Sequence, residues 1–209
     1  MDQIIDMPYW KKFEIVERNI YFNWIIAPEF IRQHLGEEAV IDLRRLWRLG
    51  TKWVPENVPD EEKYERAYRN WIWMAKCTLD FIRERMGDAG VELFEWAEAD
   101  ALENWNEDVS TRMLNLIRHA FPGAAFEMFA KELAYHLQWL TPFTVKELTP
   151  KLMIGEITRC KILHYPGTQA VCQIACQSVF PLWLAEQYKV RVCMNRRGER
   201  CTWMITPLN

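Results

Sequence analysis

The chain lacks both a long apolar run and an excess of basic charge. No stretch approaches the roughly 18 uninterrupted apolar residues of a membrane-spanning helix, so we expect no membrane partner. The 26 Lys and Arg residues against 29 Asp and Glu give a net charge of −3. Because nucleic-acid binding usually needs a basic excess, we expect no nucleic-acid partner either. The opening residues, MDQIIDMPYWKKFE, have no continuous apolar segment. They predict no signal peptide, and hence a cytoplasmic protein.

Cysteine is almost absent from the first 158 residues, which contain only Cys77. Five more follow in the last fifty residues, at Cys160, Cys172, Cys176, Cys193 and Cys201. In the cytoplasm thiols stay reduced, so this clustering favours metal or thiol chemistry over disulfides; a hyperthermophilic source would be the exception. The spacing includes no C-x2-C, which argues against a zinc ribbon or a ferredoxin-type run.

Residues 1–140 have the apolar periodicity of helices. Half of the chain is hydrophobic and it contains eleven Trp, which predicts a sizeable core and, from the Trp content, a homo-oligomer. Pro28 is expected to break or kink the first helix. Apolar residues recurring at three- and four-residue steps predict helices over 9–35, 37–53, 60–86, 91–107, 111–121 and 124–140.

Two polar features of these helices are candidate metal ligands or catalytic groups. Glu95, Glu98 and Glu103 in the acidic helix 91–107 could point inward as carboxylate metal ligands, but a solvated acidic face is the better interpretation, since no Glu-x-x-His pairing accompanies them. His136 falls on an apolar stripe, which favours a core or interface histidine over a buried base or haem ligand.

From residue 141 onward the pattern changes to alternation. Residues 143–148 and 152–160 predict a hairpin, and residues 168–187 predict a helix that Pro181 should kink. Residues 189–194 and 200–206 predict two more strands around a turn at 195–198. The order β-β-α-β-β makes the chain an α+β protein. A helical region, 1–140, precedes a Cys-rich module, 141–209, and both are expected to form one compact unit.

The five clustered cysteines allow three interpretations. Cys160 ends a strand, Cys172 lies near a helix start, and Cys193 and Cys201 could lie across from each other on neighbouring strands. These four thiolates would suit zinc or an iron–sulfur cluster. Alternatively, the cysteines are small buried hydrophobic residues.

The third interpretation is a catalytic thiol. Cys172 and Cys176 lie on one helical face near a helix start, where a thiol pKa is lowered. His164 in the preceding loop could act as the base, oriented by Glu156 or Glu199. With Cys172 in the ligand set, the catalytic pair that we predict is Cys176 and His164.

The segment 143–206, with FTVKELTPKLMIGEITRC before the helix and KVRVC and RCTW after it, resembles the family DUF6125, which is described as similar to L-2-amino-thiazoline-4-carboxylic acid hydrolases. Cys160, Cys172, Cys193 and Cys201 match that family's pattern, Cys176 is matched by its hydrolase-like relatives, and the Pro-rich hairpin insertion of DUF6125 is missing. The resemblance implies a helical bundle joined to a small sheet, and either thiazoline ring hydrolysis or a metal-binding role.

Two functions follow as hypotheses. The first is a hydrolase-like enzyme with a Cys-rich, metal-supported site for a small cyclic amidine or amide. The second is a non-catalytic module for sensing or assembly. It would hold zinc or iron–sulfur, or bind an apolar ligand in its helical region, since the module also resembles small-molecule-sensing domains related to vinyl reductases.

Overall fold

The computed structural model describes residues 6–105 and 121–208. It confirms the α+β class: helices fill the N-terminal part, and a four-stranded antiparallel sheet with one packed helix follows. The predicted helix 111–121 lies, except for Phe121, outside the described residues, and so does the side chain of Glu103.

Within the described residues, four helices form the N-terminal part. The first, α1, runs through Pro28 as one helix, so the expected division there does not occur. The second ends at Gly50, a few residues earlier than expected. The helices are α1 Tyr9–Leu35, α2 Glu37–Gly50, α3 Asp60–Trp105 and α4 Pro122–Leu137.

The long helix α3 joins two of the predicted helices across a break at Gly87. There the backbone has φ 69° and ψ −168°, a conformation that glycine adopts without strain. Before the break, α3 has two distinct faces. Tyr64 and Tyr68 contact the segment after α4 and the sheet module, whereas Lys63 and Ala67 line a cavity beside α1.

The sheet has the order β1-β2-β4-β3. Its alternation places Cys201, Trp203 and Ile205 on the buried face of the last strand, because successive side chains point to opposite faces. Gly155 lies opposite Trp203 in the register. The strands are β1 Thr144–Thr149, β2 Leu152–Ile157, β3 Val190–Arg197 and β4 Arg200–Pro207.

The packed helix between β2 and β3, here α5, changes its winding along its length. It begins as an α-helical turn, continues as a π-helix and ends as an α-helix. Pro181 occupies an early position of that last segment. Proline has no N–H to donate and its ring crowds the preceding turn, so a locally wider turn relieves the clash. The segments are Gln169–Val171, Cys172–Val179 and Phe180–Tyr188.

His136 is exposed rather than buried in a core, with its Nε2 3.7 Å from Glu132 Oε2. Its position late in α4 turns it away from the buried stripe of Phe126, Phe129 and Leu133. Among the described residues, no helix is both long and apolar enough to cross a membrane.

Candidate active site

The end of β2 and the start of the π-helix bring two cysteines together. Cys160 follows β2, and its backbone N–H donates to the carbonyl of Glu199 at 2.9 Å. Cys172 is the first residue of the π-helical segment. The two thiols are close enough to shift each other's pKa, and both are buried, with exposed fractions of 6% and 5%. The hairpin tip and the helix thus fix one sulfur against the other.

The sulfur of Cys172 is surrounded by Cys160, Arg196 and Gln177. Arg196 Nη1 lies 3.4 Å from the sulfur, and Gln177 Nε2 lies 3.8 Å away. Cys160, and then the charge and hydrogen bond of Arg196, lower the pKa of the Cys172 thiol against the opposing effect of burial. These neighbours therefore favour the thiolate form of Cys172.

Cys160 shows the opposite shift. Its hydrogen bond to Cys172, together with burial, raises the pKa of the Cys160 thiol well above its usual range. The opposite shifts favour the proton on Cys160 and the negative charge on Cys172.

Two more cysteines lie beside this pair. Cys176 follows in the π-helix, where burial and the charge of Cys172 raise its pKa. Cys201 lies on the inner face of β4, and burial and Cys172 also raise its pKa. Tyr68 of α3 adjoins Cys160 and Cys176, with its hydroxyl bonded to the carbonyl of Leu140 at 2.8 Å. The protonated thiols and this ring enclose the single thiolate.

Cys193, one of the four predicted ligands, lies apart from this cluster. It is exposed on β3 and pairs with Met204, whereas Cys201 pairs with Arg196. The turn at Gly198 and Glu199 fixes a register in which Cys193 and Cys201 point to opposite faces of the hairpin, because the side-chain period of a strand is two. The predicted set of Cys160, Cys172, Cys193 and Cys201 is therefore not assembled.

The remaining donors do not fit a metal ion. Within residues 6–105 and 121–208, no three His, Cys, Asp or Glu side chains are grouped so that they could hold one. Moreover, Arg196 places a positive charge at Cys172, where a cation would have to bind. Zinc or an iron–sulfur cluster stays a prediction, to be tested by metal analysis of anaerobically purified protein.

His164 lies at the rim of the cluster, at the end of a short 3-10 helix, Ile162–His164. Its Nε2 is 3.8 Å from Glu199 Oε2, so Glu199 takes the orienting position that the sequence suggested, and Glu156 instead pairs with Lys146. Glu199 also bonds to the backbone of Cys160. His164 is therefore two contacts away from the Cys160–Cys172 pair.

Arg196 is the site residue that sequence reasoning missed. Arg196 and Arg197 were included in the turn predicted at 195–198. The strand β3 instead continues through Arg197, and Arg196 shares the inner face with Val190, Val192 and Met194. Extending the period-two alternation of 190–194 by two residues would have placed Arg196 there.

Behind the π-helix lies an acidic pair on the second half of α3. Ser178 of the π-helix donates a hydrogen bond to Glu95. Glu98 faces a cavity of about 40 Å³ together with Asn23, Thr78 and Ala175. Burial, with a smaller contribution from Glu95, raises the pKa of Glu98 to about 8. At neutral pH Glu98 is thus largely protonated, which differs from the solvated face expected for this helix.

A larger cavity of about 620 Å³ lies on the other side of α3. Four of its thirteen lining residues are aromatic, from α1 and the loop after α2, and its charged residues balance in number. It is lined by Phe13, Glu17, Ile20, Tyr21, Trp24, Lys52, Trp53, Val54, Pro55, Glu56, Lys63, Ala67 and Asn70.

Comparison of the chain with protein-family models, curated proteins and solved structures finds no match in any of the three.

Proposed function

We propose that the protein is a thiol-dependent hydrolase in which Cys172, rather than Cys176, is the nucleophile. The supporting observation is the convergence of Cys160, Arg196 and Gln177 on the Cys172 sulfur. A thiolate is the reactive form of cysteine. Cys176, whose pKa burial raises, is protonated at neutral pH and takes no covalent role.

The substrate class is a small cyclic amidine or amide, in line with the resemblance to thiazoline hydrolases. For a 2-amino-thiazoline, the Cys172 thiolate adds to the amidine carbon, and the bond from this carbon to the ring sulfur breaks with its electron pair leaving on sulfur. Water then adds to the same carbon, and the tetrahedral intermediate expels Cys172 as thiolate. One water is consumed, and the product is an N-carbamoyl-cysteine.

His164 and Glu199 are assigned to proton transfer. Water must lose protons as it adds and the ring nitrogen must gain one, and an imidazole can both accept and donate a proton. Glu199, 3.8 Å from His164, keeps the imidazole oriented. No step in this sequence passes through a metal ion.

The test is turnover of L-2-amino-thiazoline-4-carboxylic acid by the purified full-length protein, followed by chromatography of the carbamoyl-cysteine product. We expect Cys172→Ser to abolish turnover, while Cys77→Ser, which changes a half-buried thiol on α3, retains it. Turnover that survives in Cys172→Ser, or its absence in the native protein, would overturn the assignment.

A second function, binding of an apolar small molecule, is favoured by the 620 Å³ cavity in the helical region. Ligand pockets usually have volumes of about 300–1,000 Å³ and mostly apolar walls. Glu17 and Glu56 balance Lys52 and Lys63 in formal charge, which favours an uncharged, flat ligand that stacks on Trp24 and Trp53. Such binding would make the helical region a sensing module.

This second function is tested with a panel of uncharged aromatic compounds by tryptophan fluorescence. Trp53→Ala should weaken binding about fivefold, since loss of one stacking ring is worth roughly 1 kcal/mol. Trp96→Ala removes another exposed Trp, on the second half of α3, and should leave binding unchanged. Equal loss in both variants would count against the pocket.

A further inference from the structure

Thr168 lies where the loop that carries His164 meets the helix that carries Cys172. It is 1% exposed and occupies the N-cap position before the first turn of α5. A threonine at this position usually accepts a hydrogen bond from a backbone N–H of the turn that follows. With the described turn Gln169–Val171 the Thr168 side chain forms no such bond, so helix capping does not explain this buried hydroxyl.

The hydroxyl of Thr168 bonds to the loop of His164 instead. Its oxygen lies 2.7 Å from the carbonyl oxygen of Ile162 and 2.6 Å from that of Tyr165. Ile162 begins the 3-10 helix that ends at His164, and Tyr165 directly follows His164. The two carbonyls therefore bracket His164 in the chain, and the single hydroxyl proton is shared between them.

The main chain of Thr168 is bonded to the second reacting group. Its carbonyl oxygen accepts a hydrogen bond from the backbone N–H of Cys172 at 3.1 Å. Cys172 begins the π-helical segment, so this bond fixes the start of that segment relative to Thr168. One buried residue is thus bonded to the turn of His164 through its side chain and to Cys172 through its carbonyl.

The loop between His164 and Thr168 also packs closely on α3. Gly167 has φ 76°, a backbone conformation that glycine adopts without strain. A Cβ at Gly167 would lie 2.7 Å from Cε of Lys76 on α3. The loop is therefore held by this close approach to α3 as well as by the hydrogen bonds of Thr168.

We propose that Thr168 is a positioning residue of the hydrolase, which fixes the imidazole of His164 relative to the sulfur of Cys172; this role rests on the proposed hydrolytic function. Proton transfer at His164 and bond formation at Cys172 act on one small substrate, so the two groups must keep their separation throughout the reaction. A displacement of about 1 Å in such a site can cost about 100-fold in rate. Thr168 acts on the rate without touching the substrate.

His164 depends on this anchor more than Cys172 does. His164 is exposed at the end of a single 3-10 turn, and Glu199, its ion-pair partner, lies 3.8 Å away. Cys172 is 5% exposed and lies within a longer helix. Loss of the Thr168 hydroxyl should therefore act mainly through His164.

The experiment compares two substitutions in the full-length protein with L-2-amino-thiazoline-4-carboxylic acid as substrate. Thr168→Val keeps the shape of the side chain and removes the hydroxyl. It should lower kcat by about tenfold and change KM by less than about twofold. Thr168→Ser keeps the hydroxyl and should recover kcat to within about twofold of the native value. A loss in KM alone, or an equal loss of kcat in both variants, would overturn the proposal.

A double-mutant cycle separates positioning of His164 from a purely structural role. His164→Gln removes the base, so Thr168→Val added to it should lower kcat no further. A second loss of about tenfold in the double variant would show that Thr168 acts on another group, and would count against the role assigned to it.

The His164 imidazole also gives a signal that needs no turnover. Its C–H resonances, identified in the proton NMR spectrum by their loss in His164→Gln, should shift or broaden in Thr168→Val and stay in place in Thr168→Ser. Unchanged resonances in Thr168→Val refute the positioning of His164 even if the native protein hydrolyses the thiazoline. Shifted resonances in a protein without turnover refute the hydrolase and leave the contact between Thr168 and the His164 turn supported. If Thr168→Val does not fold, Thr168→Ala takes its place in each comparison.

Discussion

The two sides of α3 carry opposite kinds of site. On one side, Tyr68 adjoins a cluster of buried thiols around Cys172, whose pKa Cys160 and Arg196 lower. On the other side, Ala67 lines a cavity of about 620 Å³ with aromatic walls, and Trp53 on its rim is 78% exposed. Neighbouring residues of one helix therefore contact the thiol cluster on one face and line the cavity on another.

The difference teaches how each kind of site is stabilised. A thiolate in a dry environment must have donors fixed around it, because desolvation otherwise returns the proton to sulfur. The thiol cluster obtains these donors from segments far apart in the sequence, the end of β2, the start of α5 and the β3–β4 hairpin. The aromatic cavity is built from α1, the adjacent loop and α3, and needs only packing.

The largest expected effect comes from breaking the sheet beneath the thiols. A Cβ added at Gly155 would lie 2.0 Å from the Phe143 ring, and that ring packs edge-on against Trp203. Gly155→Ala should lower the free energy of unfolding in urea by about 3 kcal/mol. Thr202→Ala, on the exposed face of β4, should change it by less than about 0.5 kcal/mol; equal effects would contradict this packing.

Next in size is the response of two carboxyl groups, one on each side. Burial raises the pKa of both Glu98 and Glu17, for Glu98 from 4.5 to about 8. Since the folded state holds the proton more tightly, stability is highest below about pH 4.5 and is lost as the pH rises through 8. Glu98→Gln should therefore stabilise the protein at pH 9 by roughly 1–3 kcal/mol and leave it unchanged near pH 4.

Thermal unfolding at both pH values measures this contrast. Glu17→Gln is the matched control, because its side chain is exposed beside the open cavity, and it should show a much smaller difference between the two pH values. A larger effect at Glu17 than at Glu98 would reverse the comparison between the two sides.

A third change acts on the thiolate itself. Arg196→Gln removes the positive charge at 3.4 Å from the Cys172 sulfur, so the pKa of Cys172 should rise. Alkylation of Cys172 by iodoacetamide at pH 6.5 should then slow about tenfold. Arg197→Gln, the exposed neighbour on β3, is the control and should leave the rate as it is. Unchanged alkylation in Arg196→Gln would mean that Cys160 and Gln177 suffice.

The smallest effect is expected on the cavity side. Trp53→Ala should alter the free energy of unfolding by less than about 0.5 kcal/mol, since the ring is largely in solvent. The alkylation rate of Cys172 should also stay the same. A change in that rate would show that the two sides of α3 communicate.

Much of the fold could be predicted from the sequence, because it is written in local periodicity. The β-β-α-β-β order and the helices before it followed from spacing of three to four and of two. For the π-helical segment the sequence predicted only a kink at Pro181, because the widening of a turn depends on how the helix packs.

The site was partly within reach. The sequence placed Cys160 at the end of a strand and Cys172 near the start of the next helix, and the structure has them close after β2 and early in α5. Cys193 was misplaced and Arg196 missed for one reason, because both depend on the hairpin register. The turn begins at Gly198, three residues later than the predicted turn 195–198 begins. Homo-oligomer formation and the cytoplasmic location stay predictions; light scattering tests the first.

The β3–β4 hairpin supplies the site with its cation Arg196, with the thiol Cys201 and, through the carbonyl of Glu199, with the anchor of Cys160. These three groups lie together in only one pairing register of the two strands. One residue inserted beside Gly198, where the positive φ of 63° already accommodates a turn, would rotate one strand of the hairpin by a face. Such an insertion would thus inactivate the site without altering any of its side chains.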